Sequence, residues 1–334
     1  MTFDAQSLAT SGASRRAVLR VAAVICTPVV VAQQRVGPPP HERGPKVFLD
    51  YDQVELDAAY NQTAYAPNRQ QVEARFAANS RLTRQRLGGP MRAAYGPTDI
   101  ERLDIYRAKT SNAAIHIHIH GGAWRGGSAE VYAFLAEPFV GAGAHFVVPD
   151  FVHVQDAGGS LLVMAEQVRK AIAWVYKNAA SFGGDRDRIY LSGHSSGAHL
   201  GGCALIADWQ KDFGVPDGVI QGALLVSGIY DLKGPRLSSR SEYVKFDDAT
   251  EEALSPQRHL EKIRVPTVIA HASLDTPEFQ RQSREFAAAL KAAGKQVDFV
   301  VGEGYNHFEF GETMANPYGI LGRIALAQMN LRPA

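Results

Sequence analysis

The sequence predicts an α/β fold, a mainly parallel, twisted sheet covered by helices on both faces, and three observations predict it. Beyond residue 100, short strand-like runs alternate with longer helix-like ones, and strands that take turns with helices run parallel through crossovers. The run Arg188-Ile189-Tyr190-Leu191 stops abruptly at Gly193-His194-Ser195-Ser196-Gly197, a G-x-S-x-G pattern that closes a buried strand and opens a helix of small and apolar residues over 198–207. The 334 residues, 46% apolar and 21% charged with a formal net charge of +1, suit one large globular domain with a substantial core. Lys and Arg are scattered among Asp and Glu, so no nucleic-acid partner is expected.

The first 35 residues differ in kind. Ser14-Arg15-Arg16-Ala17-Val18-Leu19-Arg20 leads into an apolar stretch over 21–31, broken by Pro28 and closed by Val30-Val31-Ala32. That order of basic region, short apolar region and small-residue cleavage site resembles a twin-arginine export signal, and it predicts a periplasmic or secreted protein cut after Ala32. The alternative is an N-terminal helix kept by a cytoplasmic protein. The apolar run falls short of the roughly 20 residues that span a bilayer, so no stable membrane anchor is expected. Ile25 before Cys26 also argues against lipidation. Cleavage would leave Cys203 as the sole cysteine, with no disulfide possible within the chain. The expected organisation is therefore an export signal and linker over 1–35 and a single domain over 36–334.

The elements follow in order. Residues 33–44, with Pro38-Pro39-Pro40, read as an extended linker. Residues 51–87 are polar and helix-prone, with helices expected near Leu56–Asn61 and Gln70–Gln85 that either cover the site or pack on the sheet. Strands are expected at 100–107 and 113–119, the second with Ile115, Ile117 and Ile119 on one face and His116, His118 and His120 on the other. A strand at 144–149, an amphipathic helix at 161–180 and the strand before Ser195 come next. Strands at 222–226, 266–271 and 297–301 and helices at 278–293 and 317–329 complete the alternation. The polar insert 233–253 is read as a loop or cap over the strand ends, where an open α/β sheet keeps its site.

Chemistry concentrates at the turns after these strands. Gly193 and Gly197 give room for a strained turn that presents the Ser195 hydroxyl, although serine and glycine also meet in ordinary loops. In His120-Gly121-Gly122-Ala123-Trp124, two side-chain-free residues let backbone N–H groups approach a substrate oxygen, and with the N–H of Ser196 they would form an oxyanion hole. A tight turn is the plainer reading of the Gly-Gly pair. Three alternating histidines invite a metal reading, but residues i and i+4 of a strand lie roughly 13 Å apart, while a metal holds its ligands at about 2 Å. His116 and His118 are better read as packed, hydrogen-bonded residues, with a metal-binding pair as the alternative. The base must follow Ser195 in the chain, and of His259, His271 and His307 only His307 follows the last strand in a glycine-bearing loop. Asp275, in the turn Ser273-Leu274-Asp275-Thr276-Pro277, is the expected acid. It could instead cap the helix that Pro277 begins, and Asp231, one strand earlier, is the rival.

On these residues the chain resembles the α/β-hydrolase superfamily, and within it the arylformamidase (kynurenine formamidase)-like esterases. The matching stretches are HGGAW, GHSSGAHL, SGIYDL, Leu254-Ser255-Pro256 and DTPEFQRQSREF, and they cover about residues 50–330. The resemblance implies a serine hydrolase with catalytic Ser195, Asp275 and His307 and an oxyanion hole from Gly121, Gly122 and Ser196. The implied activity is cleavage of small-molecule (aryl) carboxylic esters or activated aryl amides through an acyl-enzyme, without metal or organic cofactor, and the alternative is an arylformamidase acting on N-formyl aryl amides such as N-formylkynurenine. His120, Trp124, His194, Tyr305 and Phe308 are expected around the substrate. Two features depart from the family: Ser196 stands where relatives commonly have Ala, and an export signal precedes a fold whose formamidases work in the cytoplasm. From another class, a non-catalytic binding protein on the same scaffold is the alternative, which an intact Ser, Asp and His set argues against.

Overall fold

The computed structural model describes residues 36–333, so the expected export signal lies outside the described residues. Residues 36–44 are coil, exposed except at Gly37, and α1 (Gln53–Ala59) follows, with Asp52 and Glu55 completing a capping box at its start. In α2 (Arg69–Leu87), Val72, Phe76, Ser80 and Thr83 recur at helical spacing and are the residues it buries. The helix ends at Gly88 in the left-handed conformation, with Arg84 and Arg86 in its last turn.

The sheet has eight strands: β1 (Met91–Ala94), β2 (Arg102–Tyr106), β3 (Ala113–Ile119), β4 (His145–Pro149), β5 (Gly184–His194), β6 (Gly222–Val226), β7 (Thr267–Ala272) and β8 (Val297–Gly302). Their order is β1-β2-β4-β3-β5-β6-β7-β8. β2 pairs antiparallel with β1 and β4, and every pairing from β4 to β8 is parallel. This is the mainly parallel sheet of the α/β-hydrolase fold. The short edge strand β1 was not foreseen, because Met91-Arg92-Ala93-Ala94 carries no apolar alternation; backbone pairing to β2 is what makes it a strand.

Strand alternation sorts the core into two clusters. Ile115, Ile117 and Ile119 of β3 and Ala223 and Leu225 of β6 join residues of α4 (Leu161–Asn178), α5 (Ser196–Leu205) and α8 (Pro277–Ala292). Leu224 and Val226 of β6 join residues of α2, α3 (Ala136–Gly141) and α10 (Ile320–Gln328) instead. All of α5 is buried, which its small residues permit: a Cβ on Gly201 would press on Leu225 and one on Gly202 on Pro256. Cys203 within it is free, and burial pushes its thiol up to about 12.

The insert 233–253 is not a loop, but it does contribute Ser239, Arg240 and Tyr243 to the cleft that holds Ser195, as a cap would. It folds as α6 (Lys233–Leu237), a 3-10 turn (Ser239–Glu242) and α7 (Asp248–Ala253), the last capped by Asp247. Ser238 and Asp247 cap the 3-10 turn and α7 through their side chains, α6 has no side-chain cap, and short helices of this kind owe their order mainly to packing, which a polar stretch without long apolar periodicity does not reveal. No helix among the described residues is long and apolar enough to cross a membrane.

Candidate active site

The turn between β5 and α5 is strained at one residue. Ser195 has φ 59° and ψ −126°, a conformation that L-residues rarely adopt, and its N–H donates to the Val226 carbonyl at 2.9 Å. The flanking glycines are required by contact: a Cβ on Gly193 would run into the Gly197 carbonyl, and one on Gly197 into the carbonyls of Ile119 and His120. The turn therefore presses against the end of β3, from which the glycine loop departs. A Cβ on Gly121 would stand 2.8 Å from the His194 carbonyl and 3.1 Å from Ser195 Cβ, so this backbone passes directly over the serine. Gly122, Ala123 and Trp124 continue the loop with φ of 129°, 55° and 64°. Arg125 N–H closes it on the Gly122 carbonyl at 3.0 Å, and Val154 N–H holds the Trp124 carbonyl at 2.8 Å. Among the described residues the N–H groups of Gly122 and Ser196 have no backbone acceptor, and Ser196 opens α5, where none is available.

The remaining two groups come from the next turns along the sheet. Asp275 follows β7, and its Oδ1 accepts from His307 Nδ1 at 2.6 Å while Oδ2 accepts from Ser227 Oγ at 2.6 Å and Ala272 N–H at 2.9 Å. Burial pushes this carboxyl up, but His307 and these donors outweigh burial and hold it below the usual carboxylate range. His307 is the first residue of α9 (His307–Glu312) rather than part of a loop, because Asn306 caps the helix and forms a capping box with Glu309. Asn68, at the start of α2, donates to Glu309 at 2.6 Å and accepts from Asn306 at 2.7 Å, bracing the same turn from the N-terminal side. Ser195 Oγ makes no hydrogen bond to a described residue, and it shares with His307 the wall of one cleft of about 640 Å³. Such bonds tighten when substrate fills a site. Asp231 turns elsewhere, to Arg258 at 3.1 Å, and His259 and His271 bind backbone carbonyls.

His194 and Phe308 line the cleft as expected. His194 Nε2–H donates to the His307 carbonyl at 2.9 Å, tying the serine turn to the helix that bears His307, and burial pushes its imidazole down to about 3. His120, Trp124 and Tyr305 do not line the cleft. The His120 ring stacks on Phe151 at 4.2 Å, Trp124 is 1% exposed and donates to His199 Nδ1 at 3.1 Å, and Tyr305 packs on Phe310. His120 and Trp124 are buried, whereas Tyr305 is half-buried against the core. Among the lining residues missed from the sequence are Tyr60, Gln62, Arg69, Phe76, Arg240 and Tyr243, together with Tyr132, whose hydroxyl lies beside Gly121. No motif marks them.

The alternating histidines point away from the isoleucine core. His116 Nε2 and His118 Nδ1 both meet Ser192 Oγ, at 2.7 and 2.8 Å, where the hydroxyl donates to one ring and accepts from the other. Burial pushes His116 down to about 3 and His118 well below its ordinary value, so both are neutral packed residues. Among the described residues the one group of three potential metal ligands is His41, Asp52 and Glu55; none lines the cleft, and Asp52 serves as the cap of α1.

Comparison with known proteins supplies relatives for this arrangement. A family model described as BD-FAE matches residues 103–219, and the prolyl oligopeptidase family model matches residues 162–320. The kynurenine formamidase of Danio rerio is 34% identical over 244 residues, which is 71% of this chain and 80% of that protein. Esterase LipQ of Mycobacterium tuberculosis is 31% identical over 223 residues, 60% of this chain and 52% of that protein. Among solved structures, Thermogutta terrifontis esterase 2 superimposes with a TM-score of 0.61 at 24% identity, over 74% of this chain and 98% of that one. Esterase LipW of Mycobacterium marinum has the same TM-score of 0.61 at 17% identity, over 81% and 90%. The two structural likenesses are likenesses of fold.

Proposed function

The chain belongs to the kynurenine formamidase family of α/β-hydrolases and is a hydrolase of esters or amides, and from that premise we propose that Ser195, His307 and Asp275 carry the reaction. Ser195 Oγ attacks the substrate carbonyl while His307 Nε2 takes its proton, and Asp275 holds the Nδ1 proton and stabilises the imidazolium. The oxygen that becomes negative is received by the N–H groups of Gly121, Gly122 and Ser196. Collapse expels the alcohol or amine with the proton from His307, and water then releases the acyl group by the same steps in reverse. The observation that carries this reading is the 2.6 Å His307–Asp275 contact on the wall of the cleft that holds Ser195 in its strained turn.

The substrate is a compact ester or aryl amide with a short acyl part. A separate apolar recess of about 10 Å³ shares Phe76, Tyr132 and His194 with the cleft and is too small to take a long acyl chain on that side. Ser195→Ala should abolish turnover and fluorophosphonate labelling with Tm nearly unchanged, and kcat/KM on p-nitrophenyl esters should peak from acetate to butyrate and fall about tenfold by decanoate. Activity of Ser195→Ala above about a hundredth of wild type would sink the assignment. N-formyl aryl amides should be slower than the best ester. Formamides outrunning every ester would make arylformamidase the correct activity.

We further infer export to the periplasm through the Arg15-Arg16 signal and cleavage after Ala32, on the sequence pattern alone. Changing both arginines to lysine should leave precursor in the cytoplasm. Normal export of that variant, or wild-type protein retaining Met1 in the cytoplasm, would overturn it.

A further inference from the structure

We propose that Asn68 is a positioning residue for the base: acting through the turn that begins α9, it sets His307 against Ser195 and makes α2 part of the catalytic apparatus. This rests on the hydrolase reading above and adds a residue to it. Asn68 stands at the N-cap position of α2, where an asparagine ordinarily accepts from its own helix, yet its side chain makes no bond to α2. It turns to α9 instead, some 240 residues along the chain. Its Nδ2 donates to Glu309 Oε1 at 2.6 Å, and its Oδ1 accepts from Asn306 Nδ2 at 2.7 Å.

These bonds close a ring around the base. Asn306 Oδ1 accepts from the N–H groups of Phe308 and Glu309, each at 3.1 Å, and Asn306 N–H donates to Glu309 Oε2 at 3.1 Å. Asn68 joins the two side-chain groups that remain. Every orientation in the ring is fixed, because a carboxylate only accepts: the Asn68 amide nitrogen must face Glu309, and its oxygen must face Asn306. Asp275 holds the His307 ring at Nδ1, whereas this ring of bonds holds the backbone on both sides of His307, from which the imidazole projects. Alignment matters here because Ser195 Oγ and His307 share the cleft without a hydrogen bond between them, so where α9 stands decides how Nε2 reaches the hydroxyl. Arg75 ties the same two helices at the far end of α9, to Glu312 at 2.7 and 3.0 Å, and shares no bond with the ring.

A tie that only held two helices together would change stability and leave the chemistry alone, and the experiment separates the roles. Wild type, Asn68→Asp, Glu309→Gln and the double variant are compared on p-nitrophenyl acetate, with competent sites counted by fluorophosphonate labelling so that kcat is per folded site. Asn68→Asp sets two carboxylates face to face, and Glu309→Gln leaves one N–H facing another however the amides turn. Each should lower kcat about 10- to 100-fold with KM kept within about threefold. The double variant exchanges donor and acceptor, closes the ring again and should return kcat to within about threefold of wild type. Arg75→Gln, which cuts the outer tie, should leave kcat within about twofold whatever it does to Tm. Either single variant at wild-type kcat, a loss confined to KM, or a double variant whose loss is the product of the two single losses overturns the proposal. So does a fall in Arg75→Gln equal to that of the single variants. Should Asn68→Asp not fold, Asn68→Ala supplies the single loss and the double variant still tests recovery. Ser195→Ala, measured alongside, keeps the two readings apart: if it is inactive while Asn68→Asp turns over normally, only the role of Asn68 fails.

Discussion

The two walls of the cleft hold their groups by different means. At the strand ends, Ser195, Gly121 and Asp275 each sit in the turn that follows a strand and His307 opens the helix after β8, so the parallel sheet delivers them side by side. On the opposite wall, Gln62, Arg69 and Phe76 come from the helices before the sheet, and Arg240 and Tyr243 from an insert some 180 residues away, as the Arg240–Tyr60 bond shows with its sequence separation of 180. The first wall is built from backbone strain and close contact, the second from side chains that meet across the molecule. The proposed chemistry thus falls on the wall built of close backbone contacts, where an error of an ångström is costly.

The difference can be broken most strongly at Asp275. Asp275→Asn should lower kcat by about 10⁴-fold, because the amide would hold His307 in the wrong tautomer. Asp231→Asn should cost less than about tenfold, since Asp231 engages Arg258 rather than His307. Reversed effects would mean that the acid lies on the earlier strand. A smaller effect is expected at Gly121, where the added Cβ of Gly121→Ala would meet the His194 carbonyl at 2.8 Å. The loop must shift, and kcat should fall about 10²- to 10³-fold with KM changed little, which a full kinetic comparison on p-nitrophenyl acetate would check.

The mildest test uses pH, because the two walls differ in what can titrate. Behind the strand-end wall, His116 and His194 are held neutral with values of about 3, while the opposite wall carries arginines. A histidine whose folded value is depressed binds its proton first in the unfolded chain. Stability is therefore full above the ordinary value of 6.5 and is lost as pH falls from there toward 3. Each such residue should contribute a slope of about 1.4 kcal/mol per pH unit in that window. Tm recorded from pH 7 to pH 4 should fall steadily, and His116→Phe, which keeps the stack on Phe139, should flatten the curve. An unchanged slope in that variant would show that His116 is not held neutral.

Much of the strand-end wall was legible because its signals are local. A strand that ends at G-x-S-x-G, two glycines after another strand and an aspartate after a third are each confined to a few residues, and strand-helix alternation orders them along one sheet edge. Ser195, His307, Asp275, Gly121 and Gly122 therefore stood out, and the structure brings Ser195, Gly121 and the His307–Asp275 pair to one cleft. Trp124 and Tyr305 misled for a related reason: adjacency in sequence to a site residue does not settle which way a side chain turns. Packing does: Trp124 is buried against His199, and Tyr305 packs on Phe310.

By itself the sequence determined the alternation of strands and helices, the strained serine turn and the residue types available for acyl transfer, because each depends on neighbours within a few positions. Only the tertiary structure decided that the polar insert folds as short helices, that His194 fastens the serine turn to the His307 carbonyl, and that Arg240 is buried among three rings. These are relations between segments far apart in the chain, where burial and hydrogen-bond partners are set by the whole packing and leave no mark on local composition.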